Sequence, residues 1–250
     1  MDRPDIRILA EGEELSRVAA EEFVLLANEA VEASGRFSVA LSGGSTPKGV
    51  YALLADKEAG FRARVAWDKV HVFWGDERHV LPDHLESNYH TAREALLSRV
   101  PIPPENIHRI PAENPDATKA AEEYAEALRE FFRLSAGQFP RFGLILLGMG
   151  PDGHTASLFP GTTAVFEQTR LVVALWVEKF KTYRITLTPP VLNNAACTIF
   201  LVSGEEKAET LRAVLQGPYQ PDRLPAQIVR PVNGQLLWMV DRAAAQLLRR

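Results

Sequence analysis

The chain has 250 residues, of which 46% are hydrophobic, so it is long enough to bury a large core. Its formal net charge of −4 excludes the broad basic surface that nucleic-acid binding needs, and no apolar run approaches the roughly 20 residues of a membrane span. The single cysteine, Cys197, excludes an internal disulfide, and segment 1–5 is too charged for a secretory signal, so we expect a cytoplasmic protein.

Apolar runs that alternate with amphipathic segments predict the elements in chain order. They are a strand at 6–9, a helix at 13–33, a strand at 37–41, a helix from Pro47, a strand at 70–74, a helix reaching 97, a short edge strand at 107–110, a helix at 118–134, strands at 142–147, 171–177, 183–188 and 198–202, a helix reaching 215, a strand at 236–240 and a helix at 242–248. Gly35 would end the first helix and Thr46 would cap the second. The alternation indicates a single α/β domain over residues 1–250, three-layered, doubly wound and Rossmann-like, with helices on both faces of a mostly parallel sheet.

Four of the apolar runs end in a polar segment rich in small residues. These segments are Ser42–Thr46, Gly75–Arg78, Gly148–His154 and Ser203–Lys207. Parallel strands carry their C-terminal ends to one edge of the sheet, where ligands bind in open α/β folds. The sequence therefore predicts one cleft built from four loops.

The Asp-Gly-His turn after the strand at 142–147 is the strongest candidate for chemistry. Its glycines allow a sharp turn, and Asp152 stands two residues before His154, so the carboxylate could orient the imidazole. A histidine titrates near neutral pH and suits proton transfer. A glycine-rich turn with an incidental surface histidine is the alternative interpretation.

The segment Ser42-Gly43-Gly44-Ser45-Thr46 has the composition of an anion site. Free backbone amides, hydroxyl groups and a following helix N-terminus favour a single phosphate monoester. The segment lacks the Walker and Gly-x-Gly-x-x-Gly patterns, which argues against a nucleoside triphosphate or a dinucleotide. Read alone, it is equally consistent with a capped strand-to-helix turn.

Two cations, Lys207 and Arg184, are candidate phosphate ligands, although each is also consistent with an ordinary solvated charge. Lys207 opens a helix, where the dipole does not favour a cation, and this suggests an anionic partner. Of Asp76, Glu77 and Arg78, we expect one to face the site and the others to hold the loop.

The remaining histidines and aromatic residues indicate structure rather than chemistry. The spacing of His79, His84 and His90 matches no helical metal site, so no metal is predicted. We expect structural roles for His71 and His108. Core positions are expected for Phe131, Phe132 and Trp176.

Taken together, these segments resemble the superfamily of glucosamine-6-phosphate deaminase and 6-phosphogluconolactonase, from the first helix to about Leu215. The resemblance is carried by Leu41–Pro47, Gly75–Arg78, Ser87–Tyr89, Gly148–Gly161, Arg184–Thr188 and Lys207. The Gly-Asp-Glu-Arg and Ser-Asn-Tyr pair, with Ser157-Leu158-Phe159-Pro160, favours the lactonase branch. Lys179-Phe180-Lys181-Thr182-Tyr183 departs from the proline-rich lactonase pattern and leaves the role of Lys181 open.

The resemblance implies hydrolysis of a phosphorylated sugar lactone without a metal or organic cofactor. It implies His154 as general base and Asp152 as its orienting carboxylate, with Arg78 or the amides of Gly43 and Gly44 stabilising the oxyanion. Phosphate would be held by Ser42, Ser45, Thr46, Arg184 and Lys207, and Asp76 would bond a sugar hydroxyl or Arg78. An amino-sugar phosphate deaminase and a non-catalytic sugar-phosphate sensor are the alternatives. We expect a monomer or a weak homo-oligomer.

Overall fold

The computed structural model describes residues 5–249, so most of the charged N-terminal segment lies outside the described residues. The strands are β1 (Asp5–Leu9), β2 (Phe37–Leu41), β3 (Val70–Trp74), β4 (Asp76–Arg78), β5 (Leu144–Leu147), β6 (Val172–Val177), β7 (Thr182–Leu187), β8 (Cys197–Val202) and β9 (Gln235–Asp241). The helices are α1 (Gly12–Ser34), α2 (Ser45–Ala55), α3 (Asn88–Ala92), α4 (Ala117–Phe132), α5 (Pro189–Leu192), α6 (Ala208–Gln216) and α7 (Arg242–Ala245). Within residues 5–249, none of the helices combines the length and the apolar character needed to cross a bilayer.

The central sheet contains six parallel strands in the spatial order β1-β9-β8-β5-β2-β3. Every residue of β2, β5 and β8 is buried, which is why these strands are continuous apolar runs in the sequence. Helix α1 contacts β2, β9 and α2. The predicted α/β fold, a mostly parallel sheet flanked by helices, is confirmed.

A second, antiparallel sheet with the order β4-β7-β6 was not predicted. Strands β6 and β7 are joined by residues 178–181, a turn too short for the crossover that parallel strands require. The two sheets meet at Gly75, whose N–H donates to the Leu41 carbonyl at 2.8 Å and whose carbonyl accepts from Leu187 N–H at 2.9 Å. The chain therefore leaves the central sheet at Gly75 and enters the second sheet as β4.

Several local predictions were wrong. Residues 107–110 form no strand, and a single bridge joins Ile107 to Val72 beside a proline-rich segment whose prolines cannot donate to a ladder. Helix α2 begins at Ser45 with Gly44 as its N-cap, whereas Thr46 was the predicted cap. The helix starts earlier because Lys48 N–H already bonds the Gly44 carbonyl at 3.2 Å. The last helix, α7, ends at Ala245 rather than at residue 248.

The aromatic predictions were correct in part. Phe131 and Phe132 pack against the core, whereas Trp176 is 46% exposed on β6 because that strand lies in the second sheet with one face to solvent.

Cys197 is buried in β8, and burial raises the pKa of its thiol to about 11, so it has the packing role expected from its apolar neighbours.

His71 and His108 pair at the edge of the central sheet, as expected for structural histidines. His71 Nδ1 and His108 Nε2 lie 3.3 Å apart, and the His108 ring stacks on Phe73 with the centroids 4.4 Å apart. Burial lowers the pKa of His108 to about 4, and the charge of His71 acts in the same direction. Both rings are therefore packed in their neutral form.

This pair predicts a loss of stability in mild acid. The unfolded chain binds a proton at His108 near the usual pKa of 6.5 and the folded chain only near 4, so stability should fall as the pH drops between these values. We expect His108→Phe, which keeps the stack on Phe73, to make the melting temperature less dependent on pH across that window. Thermal melts at a series of pH values test this, and an unchanged slope in the variant would contradict it.

Candidate active site

A cleft of about 290 Å³ opens where the strands of the central sheet end. Its walls are segment 42–47 after β2, Asp76 and Arg78 in β4, segment 148–151 with His154 after β5, and Ser203, Glu206 and Lys207 after β8. All four predicted polar segments therefore line one cleft, as the shared direction of the strands requires.

His154 is held by Asp152 on one side of this cleft. Its Nδ1 lies 2.5 Å from Asp152 Oδ1, and its ring stacks on Phe159 with the centroids 4.3 Å apart. The hydrogen bond from His154 keeps the pKa of Asp152 far below its usual range, so the carboxylate is ionised at neutral pH. Because Asp152 accepts from Nδ1, Nε2 is the nitrogen left to take up a proton.

Gly150 provides the space in which the His154 ring lies. A Cβ at this position would stand 2.0 Å from His154 Nδ1 and 2.8 Å from Asp152 Oδ1. Gly153 adopts the left-handed region with φ of 77°, and a side chain there would also meet Leu224. Gly150 is therefore required by the packing of the Asp152–His154 pair, and Gly153 by the backbone conformation of the turn and the proximity of Leu224.

Asp76 is fixed at the floor of the cleft. Its Oδ2 accepts from Ser157 Oγ at 2.6 Å and its Oδ1 from Asn88 Nδ2 at 3.2 Å. Of the two partners suggested for Asp76, a sugar hydroxyl or Arg78, Arg78 does not bond its carboxylate. Asn88 also lies where a Cβ on Gly43 would stand, 1.9 Å from its Oδ1, so glycine is needed for this close approach.

Glu77 holds the loop rather than facing the site. Its buried carboxylate accepts from Ser87 Oγ and from the amides of Arg78, Asn88 and Tyr89 at distances of 2.7–2.9 Å. Burial raises the pKa of Glu77, while these hydrogen bonds act in the opposite direction. Glu77 thus ties β4 to the N-terminus of α3, mainly through backbone amides.

The two arginines of the second sheet lie at different depths. Arg78 lines the cleft and donates to the Glu86 carbonyl. Arg184 pairs with Arg78 across β4 and β7, but it is buried and does not line the cleft. Its Nε and Nη1 have no hydrogen-bond partner, and burial together with the charge of Arg78 lowers its pKa. Arg184 therefore adds a buried positive charge beside Arg78 without itself lining the cleft.

A second set of groups in the same cleft is suited to an anion. Helix α2 begins there at Ser45, and the buried hydroxyl of Ser42 has no hydrogen-bond partner. Lys207 ends a short 3-10 turn, Glu205–Lys207, that leads into α6. The turn is held by Asp241, whose carboxylate accepts from Ser203 Oγ and from Gly204 N–H. Amides, hydroxyls and an ammonium group thus surround one space.

Within residues 5–249, no three His, Cys, Asp or Glu side chains are grouped closely enough to hold a metal ion. The groups that line the cleft include His154, which is paired with Asp152, the carboxylates of Asp76 and Glu206, the cations Arg78 and Lys207, and backbone donors.

Comparison with known proteins fits this arrangement. The family model described as glucosamine-6-phosphate isomerases/6-phosphogluconolactonase matches residues 10–238. The chain belongs to this family. A 6-phosphogluconolactonase from Synechocystis is 42% identical over 221 residues, which cover 88% of each chain. The human 6-phosphogluconolactonase is 41% identical over 219 residues, covering 86% of this chain and 82% of the human one.

Solved structures of the family share the fold. The 6-phosphogluconolactonase of Trypanosoma brucei superposes with a TM-score of 0.87 at 30% identity and covers the whole of both chains. A monomeric glucosamine-6-phosphate deaminase superposes with a TM-score of 0.80 at 22% identity, covering 98% of this chain and all of the deaminase. At 22% identity, the similarity to the deaminase shows a shared fold and no more.

Sequence reasoning did not find three side chains that organise the site. Ser157 and Asn88 were named only within family motifs, yet they hold Asp76. Lys179 was noted only as a departure from the family pattern, and its Nζ lies 3.1 Å from Asp152 Oδ2. Each contact joins segments far apart in the chain, so no local pattern could have indicated it.

Proposed function

We propose that this chain hydrolyses 6-phospho-D-glucono-1,5-lactone to 6-phospho-D-gluconate, the second step of the oxidative pentose phosphate pathway. The observation that carries the proposal is the Asp152–His154 pair in the same cleft as segment 42–47 and Lys207. Relatives above 40% identity that are named 6-phosphogluconolactonase support the same activity.

In the proposed mechanism, His154 is the general base. Nε2 takes a proton from a water molecule as that water attacks the lactone carbonyl, and ionised Asp152 stabilises the imidazolium that forms. Arg78, or the amides of Gly43 and Gly44, stabilises the tetrahedral oxyanion. The C–O bond to the ring oxygen then breaks, and protonated His154 returns its proton to that oxygen.

In the proposed mechanism, the anion-binding groups of the cleft orient the substrate. Lys207, with the hydroxyls and amides of Ser42, Ser45 and Thr46, holds the 6-phosphate, while Arg184 adds positive potential from its buried position beside Arg78. Asp76 accepts a hydrogen bond from a sugar hydroxyl. Because Ser157 and Asn88 already fix its carboxylate, this contact requires no rearrangement.

The direct test is to follow opening of the lactone at slightly acidic pH, where spontaneous opening is slower. We expect the protein to accelerate opening and to release no ammonia from glucosamine 6-phosphate. Ammonia release would favour the deaminase alternative. Tight binding of lactone and product alike without turnover would favour a sensor.

Lys207→Ala is expected to raise KM by about 10- to 100-fold and to leave kcat nearly unchanged, because a phosphate contact acts equally in the ground and transition states. Steady-state kinetics with the lactone measure this. Lys119→Ala, on the exposed first turn of α4, is the matched control and should keep both constants. An unchanged KM in the Lys207 variant would show that the phosphate lies elsewhere.

A further inference from the structure

Asp152 has a second cationic partner besides His154. Oδ1 accepts from His154 Nδ1 at 2.5 Å, and Oδ2 accepts from Lys179 Nζ at 3.1 Å. Lys179 lies in the turn at residues 178–181, the hairpin turn between β6 and β7. A carboxylate held at both oxygens cannot rotate away from the imidazole that it orients.

The hairpin turn contacts the His154 side of the cleft a second time. The ring of Phe180 packs edge-on against Phe159 at 5.7 Å, and Phe159 in turn stacks on His154 at 4.3 Å. The second sheet thus supports both the carboxylate and the ring face of the histidine. Strands β4 and β7 of the same sheet place Arg78 and Arg184 near the cleft.

The neighbouring lysine of the same turn behaves differently. Lys181 stands in the left-handed region with φ of 51° and pairs with Glu178 rather than with Asp152. Both lysine side chains are well exposed, 58% for Lys179 and 71% for Lys181. The turn therefore contains one lysine that reaches the Asp152–His154 pair and one that serves as an internal control.

We propose that Lys179 is a positioning residue for the His154 base: it holds Asp152 from the hairpin turn, and its positive charge on the shared carboxylate opposes a second positive charge on the imidazole. The proposal deepens the lactone hydrolysis proposed above and rests on it for its catalytic meaning. An exposed ion pair adds little to folding stability, so the effect of Lys179 should appear in proton affinity and turnover.

The charges around His154 set the direction of the effect. The charged side chains that share its pair or its cleft are Asp152, Lys179, Asp76, Arg78, Glu206 and Lys207. Of these, Lys179 is the cation bonded to the same carboxylate as His154. Two cations on one carboxylate repel each other, so removing Lys179 must favour imidazolium.

The test compares Lys179→Met, Lys179→Arg and Lys181→Met with the wild-type protein. The titration midpoint of the His154 ring is followed by NMR, with His154→Gln used to assign the signal. Lys179→Met should raise this midpoint by about half a pH unit, the size expected for one partly screened charge several ångströms away. The acidic limb of kcat/KM should move upward by the same amount, with little change in KM.

Lys179→Arg should restore both values, and Lys181→Met should not move them. A Lys179→Met protein with the wild-type midpoint, or with a lower melting temperature and an unmoved acidic limb, would overturn the proposal by showing a structural role only. A wild-type protein that does not open the lactone would refute the proposed function alone, because the NMR midpoints still decide whether Lys179 sets the proton affinity of His154.

Discussion

Replacing His154 with glutamine is expected to lower kcat for the lactone by about a thousandfold, within the range that general-base catalysis supplies. Glutamine keeps a polar side chain beside Asp152 but cannot take a proton from water at neutral pH. KM should change little, because in the proposed mechanism the phosphate is held by Lys207 and segment 42–47 and not by His154. Initial rates, corrected for spontaneous opening at slightly acidic pH, measure the effect.

The His154→Gln protein must first be shown to fold, by a melting temperature close to that of the wild type. The ring lies at the surface of the cleft and is partly exposed, so its loss should not open the core. A folded variant that keeps a tenth or more of the wild-type kcat would remove His154 from the role of base.

Gly150→Ala should be nearly as damaging, although it adds only a methyl group. The new Cβ would stand 2.0 Å from His154 Nδ1 and 2.1 Å from Cε1, so the ring must leave its place. Displacement of a catalytic group by about 1 Å can cost a hundredfold, and we expect a loss of at least that size in kcat. The NMR signal of a proton shared between His154 and Asp152 should disappear together with the activity.

Gly148→Ala is the matched control for the position of the ring. A Cβ there meets no atom within 4 Å, so the same methyl group enters the same turn without touching His154. The His154–Asp152 signal should persist in this variant. Wild-type kcat in Gly150→Ala would mean that the ring can move without loss and that its packed position is not the reactive one.

The central sheet could be predicted from the sequence because its signal is local. The buried strands β2, β5 and β8 are short apolar runs, and helices with one apolar face lie between them. The parallel direction of these strands then follows from the connections between them, which are long enough to contain a crossover helix. The meeting of the polar segments in one cleft could be predicted without knowing any contact between residues, because parallel strands carry their C-terminal ends to the same edge of the sheet.

The second sheet could not be predicted in the same way. An apolar alternation at 171–177 and 183–188 predicts two strands but not their partners, because the side-chain pattern of a strand is the same in either sheet. Trp176 was therefore expected in the core although it is exposed, and the register that sets Arg184 beside Arg78 could not be predicted. The reason in each case is that the pairing of β7 with β4 and β6 was unknown.

By itself, the sequence determined the fold class, the family and the identity of the segments that line the cleft, since each depends on periodicity or on residues adjacent in the chain. Only the tertiary structure decided which side chains meet across those segments: Ser157 on Asp76, Asn88 beside Gly43, and Lys179 on Asp152. The physical reason is that hydrogen bonds and ion pairs act over about 3 Å. The relative placement of two distant loops at that precision is fixed by the packing of the whole sheet and not by either loop alone.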